Sequence, residues 1–124
     1  MVNAFNTVDE NITIVRGDTL AFGVELYTVD EENDALETLL NQDLDTCYFS
    51  VRKDYANTAY VLQKSLGNGI EKVETGKYRV RIAPEDTASL EAGNYYYDLE
   101  IGLNNDIFTV IKGSFIVEYD ITRH

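Results

Sequence analysis

Along much of this chain hydrophobic and polar residues alternate with a period of two. In TLAFGVELY, residues 19–27, the alternation places Leu20, Phe22, Val24 and Leu26 on one face and Ala21, Gly23 and Glu25 on the other. CYFSVRK turns Cys47, Phe49 and Val51 inward, and KYRVRI turns Tyr78, Val80 and Ile82 inward against Lys77, Arg79 and Arg81. YYYDLEIG sets Tyr95, Tyr97, Leu99 and Ile101 against Tyr96, Asp98 and Glu100. Successive side chains of a strand point to opposite faces, so each segment has one dry and one wet face, as antiparallel sheets packed face to face require. Less regular strands are predicted at residues 11–15, 59–65, 69–74 and 106–121. The last is longer than an ordinary strand, and Gly113 within it predicts a bulge or a change of sheet.

Turn residues separate these runs: Arg16-Gly17-Asp18, Gly67-Asn68-Gly69, Thr75-Gly76 and, between the last two strands, a hairpin over GLNND, residues 102–106. About seven or eight short strands punctuated in this way predict an all-β fold, an antiparallel β-sandwich with one short helical element. That element is Pro84-Glu85-Asp86-Thr87, followed by a strand opening at Gly93. Strand, helical turn and strand together form the corner by which a Greek-key sandwich passes from one sheet to the other. Residues 30–45, DEENDALETLLNQDLD, break the alternation. They read either as a short helix with Ala35, Leu36, Leu39 and Leu40 as its apolar stripe or as an irregular loop pinned by its leucines.

At 124 residues the chain fits one domain, residues 1–124. Hydrophobic residues at 44%, with nine tyrosines and five phenylalanines, suffice for a packed interior. No apolar run is long enough to cross a bilayer. MVNAFNTVDEN lacks the basic start and apolar stretch of a secretion signal, so synthesis in the cytoplasm and no membrane partner are expected. The net charge of −12 disfavours nucleic-acid binding. Acids and bases are segregated: residues 17–51 contain no lysine or arginine, whereas the bases fall mostly between Arg52 and Arg81. Such polarity would suit head-to-tail stacking of copies, although a solvated surface is the simpler account of it.

The residues that could carry catalysis are few. Cys47 lies in a core strand, where a free cysteine behaves as a small apolar group. His124, the single histidine, is the last residue, so a nucleophile–histidine pair and a cysteine–histidine zinc site both lack members. Gly67-Asn68-Gly69 lacks the helix and lysine of a phosphate-cradling loop. Arg16-Gly17-Asp18 spells a tripeptide read by integrins but is more simply a turn. The acids Asp30, Glu31, Glu32 and Asp34 suggest calcium, yet no glycine interrupts them as a calcium loop requires. No catalytic residue, cofactor, metal or small-molecule substrate is therefore expected. The candidate contact surfaces are those four acids, the long final strand, and Tyr96, whose outward position with Tyr48 and Tyr60 suggests an exposed aromatic patch for protein or sugar.

PEDTASLEAGNYYYDL resembles the corner leading into the penultimate strand of immunoglobulin-like domains. The resemblance implies an immunoglobulin-like sandwich with Pro84, Asp86, Gly93 and Tyr95 as its structural corner, the Tyr95 hydroxyl bonding back to upstream backbone. The cysteine pair and core tryptophan of antibody domains are missing, so only architecture carries over. ITIVRGDTLAFGVEL, FSVRKD, LQKSLGNGI, YRVRIAPEDTASLEAGNYYYDLEI and TVIKGSFIVEYDIT resemble small structural proteins of phages and prophages of Gram-positive bacteria, similar to the N-terminal domain of baseplate upper proteins. This resemblance implies a virion structural or assembly protein, in a tail, baseplate or neck, that associates with other virion proteins and with copies of itself. The rival reading is a carbohydrate-binding or host-surface recognition module on the same scaffold.

Overall fold

The structure is a computed structural model that describes residues 7–29, 37–56 and 59–122. Its strands are β1 (Val8–Asp9), β2 (Ile12–Val15), β3 (Leu20–Glu25), β4 (Tyr27–Val29), β5 (Glu37–Leu39), β6 (Thr46–Arg52), β7 (Leu62–Leu66), β8 (Gly69–Glu74), β9 (Lys77–Ile82), β10 (Gly93–Leu103) and β11 (Asp106–Glu118). One helical turn, α1 (Pro84–Thr87), stands between β9 and β10. No helix among the described residues is long and apolar enough to cross a membrane.

Hydrogen bonding runs along a single curled path, β1-β11-β10-β6-β7-β8-β9-β3, with β2 also on β11 and β4 paired only with β5. The curl closes β3, β9 and β8 over β6, β10 and β11, giving a β-sandwich-like fold. The core fills the space between: Phe49 of β6 meets Phe22 of β3 at 5.8 Å, Tyr97 of β10 at 5.3 Å and Phe115 of β11 at 6.1 Å between ring centroids. Every inward position read from the period of two in β6, β9 and β10 is buried. The pairing is mixed rather than wholly antiparallel, because β1 and β2 run parallel to β11 and a short β7–β8 bridge is also parallel.

Three readings need correction or choice. In residues 30–45 the described part is not helical: Glu37–Leu39 pairs with Tyr27–Val29, and Leu40 and Leu44 are buried. Backbone hydrogen bonds explain the pinning, since Leu40 N–H reaches the Leu26 carbonyl at 2.8 Å and Leu44 N–H reaches the Tyr78 hydroxyl at 3.0 Å. Gly113 is not the bulge of β11. The register slips between Leu99 and Glu100, whose partners are Ile111 and Thr109, so Val110 is the extra residue. At Gly113 the neighbour of β11 instead changes from β1 to β2, and the backbone of Glu10 crosses so closely that a Cβ would collide with it. Finally, β11 is flanked on both sides from Ile111 to Val117, by β10 on one side and by β1 and then β2 on the other, so this part of it is not a free edge.

The turn at Arg16-Gly17-Asp18 is built into the fold. Gly17 has φ of 83°, a left-handed conformation that costs glycine little. Its N–H donates at 2.8 Å to Oγ1 of Thr87, which is fully buried in α1. Arg16 is bound to Asp120 at 2.9 Å, so the tripeptide is a structural joint. In the hairpin between β10 and β11, Asn104 and Asn105 have φ of 53° and 69°, the two positive values of a type I′ turn.

Candidate functional site

Two surfaces stand out, one on each half of the sandwich. The first is the outer face of β6, β7 and β10. Register places Tyr96 opposite Arg52, Asp98 opposite Ser50 and Glu100 opposite Tyr48, and sets Gln63 of β7 beside Ser50. All of these are the outward positions of their strands, so one strip of wet face becomes continuous across three strands. After β6 the chain turns back and lays the Tyr55 ring on Tyr96, stacked at 4.4 Å and 26° between planes. Tyr60, arriving just before β7, takes the Arg52 guanidinium over its ring at 4.8 Å and lies within hydrogen-bonding reach of Arg52 Nη2, 3.3 Å from its hydroxyl. Gln63 Nε2 donates to Ser50 Oγ at 3.0 Å.

The result is a groove of about 480 Å³ walled by these side chains together with Asp54 and the edge of Tyr97. No aliphatic side chain lines it; every wall residue is tyrosine or polar. Three carboxylates, Asp54, Asp98 and Glu100, face one guanidinium, Arg52, which gives the groove a negative field. Burial raises the Asp98 carboxyl above its ordinary value, and Arg52 opposes that rise only in part. Tyr55 is 81% exposed, so the ring face turned away from Tyr96 is open to solvent.

The second surface is the outer edge of β3. No described strand pairs with it, although its inner edge is fully paired with β9 from Leu20–Ile82 to Glu25–Lys77. Its exposed side chains are Ala21, Gly23 and Glu25, small but for the last. Arg79 and Arg81 of β9 flank them, Arg79 being paired with Glu71 at 3.3 Å.

Of the residues singled out in the sequence, Pro84, Asp86, Gly93 and Tyr95 meet at one corner. Pro84 opens α1, where its fixed φ and missing N–H are harmless. The Asp86 carboxylate accepts the Ala83 N–H at 2.7 Å and pairs with Lys64 at 2.8 Å. Gly93 opens β10, and the Tyr95 hydroxyl donates to the Glu91 carbonyl at 2.8 Å, the bond to upstream backbone that the resemblance implies. Lys53 sits over the Tyr95 ring at 4.5 Å.

Tyr96, Tyr48 and Tyr60 come together as the period of two and the order of strands allow. Tyr55, Asp98 and Glu100 also belong to the groove but were missed. For Asp98 and Glu100 the signal was their outward alternation; for Tyr55, in a loop, there was none. Asp30, Glu31, Glu32 and Asp34 lie outside the described residues. Two acids of the lysine-free stretch meet bases from later in the chain, Asp43 pairing with Lys72 at 2.9 Å and Glu25 with Lys77 at 3.6 Å.

Chemically, the groove offers stacking surfaces and a mixture of hydrogen-bond donors and acceptors. Among the described residues no group of three histidine, cysteine or acidic side chains is placed to hold a metal ion. Cys47 is buried, and burial pushes its pKa up to about 12, so it is held as a thiol rather than a nucleophilic thiolate. No protein-family model matches the chain, and no curated protein matches it significantly.

Proposed function

We propose that this chain is a structural or assembly protein of a phage or prophage particle, in a tail, baseplate or neck, and that it works by protein–protein association. The observation that carries the mechanism is the open edge of β3. An unpaired strand edge presents a row of backbone donors and acceptors ready to take a strand from another chain. Natural proteins blunt such edges with lysine, proline or bulges, whereas β3 contains none of these and no described strand covers its outer edge. The partner is a strand of another particle protein or of a second copy. The resemblance to phage structural proteins runs through the same region, in ITIVRGDTLAFGVEL.

Mass spectrometry of particles purified after prophage induction tests the role, with peptides such as VETGKYR expected in fixed ratio to tail proteins. Their absence from assembled particles, despite expression in the lysate, overturns it. Gly23→Lys tests the mechanism. A Cβ at Gly23 has ordinary space, 3.9 Å from its nearest neighbour, so the fold tolerates the change while the edge acquires a charge. Incorporation should fall with an unchanged melting temperature; undiminished incorporation rules out the β3 edge as the contact.

A further inference from the structure

We propose that the groove on β6, β7 and β10 binds a neutral oligosaccharide. The site lies on the opposite half of the sandwich from the β3 edge and does not depend on the association role.

The composition of the walls selects the class of ligand. The centre of a protein–protein interface is depleted in charge and apolar enough to be packed dry. Here no aliphatic side chain is available, and Asp54, Asp98 and Glu100 stand in the groove itself. A sugar asks for something different: a flat aromatic surface for its C–H face and a ring of groups that both donate and accept. Tyr55 supplies the surface. One face of its ring rests on Tyr96 at 4.4 Å, which fixes its orientation, and the other face is open. The electron-rich face of an aromatic ring attracts the weakly positive C–H groups of a pyranose, as it attracts other positive edges. Arg52 supplies donors, and Asp98 and Glu100 supply acceptors. Gln63 gives an N–H to Ser50 and keeps its carbonyl oxygen, an acceptor that can turn to a hydroxyl.

Charge narrows the class further. Three carboxylates against one guanidinium repel uronic acids, sialic acids and phosphorylated glycans. A cationic ligand finds the Tyr60 face already taken by Arg52 at 4.8 Å, and at the open Tyr55 face it would share the groove with that guanidinium. A polyhydroxylated ligand without charge fits both facts. At about 480 Å³ the groove falls within the size range of small-ligand sites, enough for a short oligosaccharide.

The test is an array of neutral glucans, galactans, mannans and N-acetylhexosamine oligomers, with hyaluronan and polylysine as the charged arms. Each hit is followed by saturation-transfer NMR on the full chain. Binding of a neutral glycan is expected, with Tyr55→Ala weakening it about tenfold or more, the equivalent of one strong stacking contact. Tyr55 is so exposed that its removal leaves the core intact, and Tyr119→Ala, an exposed tyrosine outside the groove, serves as the control that keeps full affinity. Silence of every neutral glycan on both array and NMR overturns the proposal. So does neutral-glycan binding that survives Tyr55→Ala, and so does binding of polylysine alone, which would assign the groove to a cationic peptide.

Discussion

Tyr97 and Gly113 face each other across the β10–β11 ladder, and both are fitted to one atom, the carbonyl oxygen of Glu10. The Tyr97 hydroxyl donates to that oxygen at 2.6 Å, while Gly113 leaves the space through which the Glu10 backbone passes. A tyrosine opposite a glycine thus fastens the N-terminal segment where β11 exchanges β1 for β2 as its neighbour.

This relationship predicts a coupled pair of substitutions. Tyr97→Phe removes one hydrogen bond and should cost about 1 kcal/mol. Gly113→Ala forces the Glu10 backbone away from β11 and should cost more, about 1–3 kcal/mol, as overpacking does. Once Glu10 is displaced the Tyr97 hydroxyl has already lost its acceptor, so the double variant should be more stable than additivity requires, by about 0.5 kcal/mol or more. Urea denaturation of the four proteins measures the coupling, and strict additivity would dissociate the two residues.

Thr87 makes a similar joint between the Arg16-Gly17-Asp18 turn and α1. Its hydroxyl is the acceptor for the buried Gly17 N–H at 2.8 Å. Thr87→Val keeps the shape and strands that N–H, a loss of about 1–3 kcal/mol. Thr87→Ser keeps the hydroxyl and removes a methyl group, a loss of about 0.8 kcal/mol. Thermal melts should therefore rank valine below serine. The reverse order would mean that packing, not the hydrogen bond, holds the turn.

These joints show what the sequence could and could not reveal. The corner was legible because its contacts are local: Asp86 reaches Ala83 three residues back, and Tyr95 reaches Glu91 four residues back. The buried faces of β6, β9 and β10 were legible because a period of two needs only five or six residues to declare itself. Strands as short as β1, β4 and β5 have too few positions to show a period, and the leucines of residues 30–45 fit a helical stripe as well as they fit a pinned loop. The groove was legible only in part. Outward alternation marked Tyr48 and Tyr96, but nothing in one strand states which strand lies beside it, so the meeting of Tyr96 with Arg52 depends on a pairing between residues far apart in sequence. Tyr55 joins through a loop with no periodicity at all. The long β11 was legible because its length was visible, whereas its pairing with β1 and β2 was not, since parallel partners so short leave no period of their own.

Alkaline pH should destabilise the fold, through three buried groups. Burial raises the Cys47 thiol from 9.0 to about 12 and the Tyr97 hydroxyl from 10.0 to about 12, the latter helped by Glu10, and it raises Tyr95 as well. Between the ordinary and the raised values the unfolded chain has released these protons and the folded chain has kept them. The unfolded state then binds fewer protons, so stability falls as pH rises through this window and is unaffected by these groups below about pH 8. Urea midpoints measured from pH 8 to pH 11 should decline, and Cys47→Ala should flatten part of the slope. For the same reason a thiol reagent at pH 8 should label Cys47 slowly in the native protein and rapidly in urea. Equal rates in the two states would show that the thiol is not protected by the core.

Asp98 carries the corresponding effect on the acid side, and within the groove. Its carboxyl lies above the ordinary value of 3.8, chiefly because burial disfavours the charge and only secondarily offset by Arg52. The folded chain therefore holds this proton where the unfolded chain has lost it. Stability from this residue is greatest below the ordinary value, falls as pH rises through the raised one, and stays reduced at neutral pH. Asp98→Asn removes the charge at nearly constant shape and should raise the melting temperature at pH 7, with the gain shrinking towards pH 3. Melting curves at the two values decide it. A neutral-pH loss of stability would mean that attraction to Arg52 outweighs desolvation, and that the carboxylate is a structural partner of the guanidinium. A gain would mean that the fold tolerates a destabilising charge at the floor of its tyrosine-walled groove, as binding sites commonly do.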